Sequence, residues 1–191
     1  MIRTLFKLII LILFPFSLVT SVFAELTTDE NSQMMELFLM IQKRFELIEE
    51  AAAYKFLYHL PTYVPTREHE ILAGLKQVST LNQLDLQSVQ SFINTQIRIS
   101  LDLSNQWHRY WQKNGFNKAL PLNDLDDDIR PKLAKLTDQM VIKIAQTLPI
   151  IHRAENFKDL SDLLDETVVI KPISKFQKEA ILHSLIEVKK A

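Results

Sequence analysis

The sequence predicts an all-helical, single-domain bundle of six helices, three of them long, and three observations lead there. Only 2 of the 191 residues are glycine, against a usual share of roughly 7%. Hairpin turns, dinucleotide-binding loops and phosphate loops all consume glycine, because they need positive φ or close backbone approach. Apolar residues also recur at helical steps over long stretches, as in Leu37, Phe38, Ile41, Phe45, Ile48, Ala52 and Phe56. These stretches are bounded by residues that start and stop helices.

Taken in order, Thr27-Thr28-Asp29-Glu30 has the spacing of a capping box. It opens a first helix over about Asn31 to His59, ended by Pro61 and Pro65. Pro65 suits the first turn of a second helix, roughly Thr66 to Thr80, with Glu68 and Glu70 near its positive end. Asp85 caps a third, which runs to about Lys113 through Val89, Phe92, Ile93, Ile97, Leu101 and Trp107. Residues 114–123 read as a loop, and the acidic run Asp124 to Asp128 as the solvated start of a fourth helix that Pro149 ends. Shorter helices are expected near Asn156 to Glu166 and Ser174 to Lys189, on either side of Val168 to Pro172. One bundle is the natural packing.

Residues 1–24 read as an export signal. Arg3 and Lys7 give a positive start, Leu8 to Phe14 an apolar run, and Val22-Phe23-Ala24 a peptidase site with cleavage after Ala24. The run is short for a membrane span, which needs about 20 apolar residues. An uncleaved anchor is the alternative; otherwise no membrane contact is expected once the signal is removed. The remaining 167 residues carry 20 basic and 23 acidic side chains, the size of one ordinary domain. The expected location is the periplasm or the exterior.

Composition removes several chemistries. With no cysteine there is no thiol nucleophile, disulfide, Cys-ligated zinc or lipid attachment. The five histidines show neither HExxH nor an i, i+4 pair, which argues against a metal site. A net charge of -1 gives no electrostatic reason to expect nucleic acid. Trp107 and Trp111 read as core or a dimer interface.

The informative anomaly lies in the first helix. Arg44 and Lys55 are 11 residues apart, so they sit about 20° apart around the axis and about 16.5 Å apart along it. Two cations on one stripe can grip both ends of a small dianion, although spacing alone favours two solvated side chains. Ala51-Ala52-Ala53 beside them leaves room for a ligand or for a close partner helix. In the third helix Gln96, Ser100 and Ser104 form an uncharged strip that alone reads as surface.

Together these positions resemble the all-helical chorismate mutases, specifically the exported subclass. The resemblance runs through Arg44 and Ala53 to Phe56, Leu60-Pro61, Arg67-Glu68, Gln96-Ile97-Arg98 with Ser100, and Asp124-Leu125 with Ile129-Arg130-Pro131. It covers about Leu37 to Ile144. The resemblance implies the rearrangement of chorismate to prephenate with no cofactor and no metal. It also implies that Arg44, Arg67 and Arg130 bind carboxylates and that Lys55 faces the breaking ether oxygen. Glu68 would accept from the ring hydroxyl and Ser100 would donate to a carboxylate. A homodimer with a complete pocket in each protomer is the implied assembly.

One position departs from the family. Four residues after Ser100 the family usually places Gln or Glu as a second donor to the ether oxygen; here it is Ser104, too short to reach directly. Asn105 and Gln106 point about 100° and 200° away from that face. A bridging water could serve, or turnover is slow. Two other readings stay open: pyruvate elimination from isochorismate, and an exported module that binds a dianion or a partner without chemistry.

Overall fold

The computed structural model describes residues 26–116 and 118–191, so the expected signal and its cleavage point lie outside the described residues. Among the described residues six α-helices make up the fold: α1 (Thr28–Leu57), α2 (Pro65–Leu81), α3 (Leu86–Asn114), α4 (Arg130–Ile151), α5 (Phe157–Thr167) and α6 (Lys175–Ile186). Among the described residues there is no strand, only an isolated antiparallel bridge between Leu84 and Lys190. No described helix is long and apolar enough to cross a membrane.

The local signals explain most boundaries. Thr27 and Glu30 form a reciprocal capping box at α1, with the Glu30 backbone N–H donating to Thr27 Oγ1 at 3.3 Å. Pro65 occupies the first turn of α2, where its missing N–H leaves no partner unsatisfied. Asp85 Oδ1 accepts from the Ser88 backbone N–H at 2.9 Å and opens α3. Ser174 and Gln177 build a second capping box at α6. Gly115 follows α3 with φ of 86°, a conformation that L side chains avoid.

Two boundaries correct the sequence reading. Pro149 does not end α4, which continues to Ile151. The ring lies exposed in the last turn, while Leu148, Ile150 and Ile151 are buried and hold that turn against the core. The acidic run is also not an ordinary helix start. Leu125–Ile129 is a wide turn of π-helix, in which the Ile129 backbone N–H donates five residues back to Asp124 O at 3.0 Å. A proline ring crowds the carbonyl four residues before it, and Pro131 sits just inside α4, so the backbone there opens by one residue.

The core runs along α1. Met34, Leu37, Phe38, Ile41 and Phe45 are fully buried, and α1 packs on α3, α4 and α5. At the N-terminal half of α1 the bundle is solid: α5 and α6 close it, and Gln42 Oε1 accepts from the Val169 and Ile170 backbone N–H groups. Trp107 and Trp111 belong to this core, not to a free face. Toward the C-terminal half of α1, helices α2, α3 and α4 leave a hole between them.

Candidate active site

A cavity of about 340 Å³ opens where α1, α2, α3 and the start of α4 converge, within the range expected of small-molecule sites. All seven side chains singled out in the sequence line it: Arg44 and Lys55 from α1, Arg67 and Glu68 from α2, Ser100 and Ser104 from α3, and Arg130 from α4. Helical spacing explains the α1 contribution, because Arg44, Ile48, Ala51, Ala52 and Lys55 share one stripe. The two meanings of the small alanines are both realised. Ala51 and Ala52 leave open space on the cavity side, and Ala52 O also takes a 2.9 Å contact from His108 Nε2 as α3 comes close.

The cations divide by depth. Arg44 is only 3% exposed, so the solvated alternative that spacing alone favours does not hold for it. No acidic side chain lies within ion-pair distance of it among the described residues, and its Nε has no hydrogen-bond partner. Burial pushes its pKa down to about 10, so it remains charged at neutral pH. A buried guanidinium without an anion is costly unless something anionic occupies the space beside it. Lys55 is half-buried; its Nζ donates to Thr62 O at 2.9 Å. Burial, and then the positive charge of Arg130, hold its pKa below the ordinary lysine value.

Arg67 and Arg130 stand nearer solvent and already have partners. Arg67 donates to Glu70 Oε2 at 2.8 Å, and Arg130 to the Asp126 carboxylate. The wide turn before α4 sets the position of Arg130. Asp124 caps that turn by accepting from the Asp126 and Asp127 backbone N–H groups at 2.8 and 2.9 Å, and Tyr54 Oη of α1 donates to the same carboxylate at 3.2 Å. Tyr54 therefore ties the turn carrying Arg130 to the helix carrying Lys55.

The polar strip of α3 is buried, contrary to its reading as surface. Gln96 is 0%, Ser100 7% and Ser104 8% exposed. Ser100 Oγ donates to Gln96 O at 2.7 Å and Ser104 Oγ to Ser100 O at 2.8 Å. Both hydroxyl protons are thus occupied by the helix itself, and each serine offers the cavity acceptor lone pairs until it rotates. Both amide atoms of Gln96, one turn deeper, lack partners.

Several lining residues had no clear signal in the sequence. Thr62, Tyr63 and Val64 come from the connection between α1 and α2, and Thr137 and Asp138 from α4. The α4 pair could have been found, since residues 130, 133, 134, 137 and 138 mark one helical face. The connection could not, because periodicity ends at Pro61. Among the described residues no group of His, Asp or Glu side chains is arranged to hold a metal.

The bundle gathers basic side chains from three helices around one cavity, an arrangement suited to a small anionic ligand. A family comparison bears on this site: residues 34–105 match the sequence model of chorismate mutase type II. The chain is 26% identical over 108 residues to the monofunctional chorismate mutase of Enterobacter agglomerans, which covers 56% of this chain. The matched region spans 59% of that relative's own length. It is 24% identical over 161 residues to the secreted chorismate mutase of Mycolicibacterium smegmatis, covering 83% of this chain and 88% of that one. The secreted chorismate mutase of Yersinia pestis has the same fold, with a TM-score of 0.73, 19% identity, and coverage of 82% of this chain and 98% of that one. The chorismate mutase of Burkholderia thailandensis aligns with a TM-score of 0.69 and 23% identity, covering 81% and 96%.

Proposed function

We propose that the chain rearranges chorismate to prephenate in this cavity, without a cofactor. The observation that carries the reading is Arg44: a buried guanidinium with no anionic partner, on the same stripe as Lys55 and in one cavity with Arg67 and Arg130. Such a site suits a ligand with more than one negative charge. Chorismate carries two carboxylates, and guanidinium forks bind carboxylates through two parallel bonds.

The reaction is intramolecular, so it needs neither nucleophile nor proton shuttle. What accelerates it is holding the compact conformer that brings the two reacting carbons together. In our reading Arg44, Arg67 and Arg130 bind the carboxylates and select that conformer, while Glu68 accepts from the ring hydroxyl. Lys55 faces the ether oxygen, which gains negative charge as its bond to carbon breaks. A cation fixed there stabilises the transition state more than the ground state. Ser100 rotates from Gln96 O to donate to a carboxylate. Ser104 reaches the ether oxygen only through a bridging water.

Purified residues 25–191 are expected to form prephenate from chorismate well above the uncatalysed rate. Pyruvate release from isochorismate in place of that activity would move the assignment to elimination. Binding of chorismate with no turnover would make the chain a binding module.

Export and assembly belong to the same reading. A signal at residues 1–24 and a secreted mature chain are supported by the composition of that segment and by the secreted relatives in M. smegmatis and Y. pestis. The N-terminal sequence of protein recovered from outside the cytoplasm is expected to begin at Glu25. A homodimer is expected by light scattering. Every residue assigned above comes from one chain, so activity should persist on dilution below the dimer's dissociation constant.

A further inference from the structure

We propose that Asn105 is a positioning residue for Lys55, acting through Thr62 of the connection between α1 and α2. The inference rests on the mutase reading insofar as Lys55 is taken to act on substrate. The geometry is a relay of two hydrogen bonds. Thr62 Oγ1 donates to Asn105 Oδ1 at 3.0 Å, and Thr62 O accepts from Lys55 Nζ at 2.9 Å. The end of α1, the connection that follows it and the distant α3 are thereby joined at a single threonine.

Lysine presents a point charge on a flexible four-carbon stem, so a catalytic ammonium needs something to aim it. Thr62 O takes one of its three protons and leaves two for a ligand. The carbonyl can do this only if the connection stays in place; the Leu60 N–H donating to Lys55 O at 2.8 Å holds its start, and Thr62 itself is held from α3. The connection contains Pro61 and ends at Pro65, neither with an N–H to give, and His59 takes φ of 54° as α1 ends. Leu57 to Pro61 are all exposed. Asn105 supplies the anchor from α3.

The relay also shapes the cavity. Tyr63 and Val64, next along the chain from Thr62, line it, and Arg67 and Glu68 follow in the first turn of α2. Asn105 stands about 100° around α3 from Ser104, which faces the cavity. It is therefore placed to hold the wall of the site without entering it, and its neighbour leaves the ether oxygen without a direct long donor. That raises the demand on Lys55. Arg130 and His108 are the other basic groups whose charge bears on this ammonium.

The test is a set of kinetic cycles on the full mature chain, with Asn105→Ala, Thr62→Val and the double variant. Each single change is expected to lower kcat by about tenfold with little change in KM, and the double no further than the worse single. In a Lys55→Ala background, Asn105→Ala is expected to cost nothing more, while Asn105→Asp and Thr62→Ser keep the relay and most of the rate. Losses that multiply in the double variant, or an Asn105→Ala effect that persists without Lys55, would overturn the proposal. A second readout is independent of turnover. Lysines labelled biosynthetically with ¹³C at Cε are titrated by NMR, with the Lys55 signal assigned by its loss in Lys55→Arg. Breaking the relay is expected to exchange Thr62 O for water around the ammonium and so move its midpoint, and an unmoved midpoint rejects the relay. If the unaltered chain proves inactive on chorismate, the mutase reading fails and this titration still decides the relay.

Discussion

The two inner cations and the two outer ones do different work although they face the same hole. Arg44 and Lys55 lie on α1, the helix that also carries the core, and neither is paired with a carboxylate among the described residues. Arg67 and Arg130 sit at the first turns of α2 and α4 and hold Glu70 and Asp126. Arg44 is held by packing and Lys55 by its hydrogen bond to Thr62 O before any ligand arrives, so neither has to leave a carboxylate first. The outer pair has roughly one-third exposed side chains and must exchange a protein carboxylate for a ligand carboxylate. Rigid charge suits transition-state stabilisation, and exchangeable charge suits capture.

The strongest way to break this contrast is to remove the inner charges. Lys55→Ala is expected to lower kcat/KM by about 10³ with helix content unchanged by circular dichroism. Arg130→Ala should lose most turnover too, with a larger share appearing in KM. Arg44→Met sharpens the point because activity and stability should move oppositely. Folding lowers the proton affinity of Arg44, so the native state bears a cost at every pH below about 10 and is relieved only above it. That cost is about 3 kcal/mol at neutral pH. The methionine variant is therefore expected to be inactive yet to melt several degrees higher. A lower melting temperature would show that the charge is compensated.

A smaller change is expected from supplying the missing donor. Ser104→Gln places a long amide on the cavity face and should raise kcat by about tenfold if the ether oxygen lies within reach of Lys55. An unchanged or lower kcat would place that oxygen elsewhere. Proton titration gives a subtler readout. In the proposed mechanism Lys55 acts protonated, and because its pKa is lowered, log kcat/KM should fall as pH rises through a midpoint below the ordinary lysine value. Arg130→Gln removes a repelling charge and should shift that alkaline limb upward. The smallest effect is expected at the rim. Glu70→Gln frees Arg67 and should lower KM by less than about fivefold, since exposed ion pairs contribute only about 0–1 kcal/mol.

Much of this molecule can be read without coordinates where one residue type carries one physical instruction. Thr27 with Glu30, Pro65 and Asp85 state where helices begin, and the interval between Arg44 and Lys55 states a shared face. The readings that failed depend on what lies opposite. Gln96, Ser100 and Ser104 form a strip suited to surface, and only the approach of α1, α2 and α4 makes it interior. Pro149 breaks a helix in isolation, but the burial of Ile150 and Ile151 holds two more residues. The wide turn before Arg130 arises from the crowding at Pro131 together with the need to bury Leu125 and Ile129, four positions apart. Thr62 belongs to a non-periodic connection whose role arises from two contacts across 7 and 43 positions of chain.

The unneutralised guanidinium in the floor of the site also ties the lifetime of the protein to its diet. A resident diacid at a hundred times its dissociation constant firms the native state by about 2.7 kcal/mol. Proteases that attack transiently opened molecules then spare filled copies roughly a hundredfold over empty ones. In surroundings rich in such proteases, the amount of intact chain becomes a gauge of how much diacid reaches it.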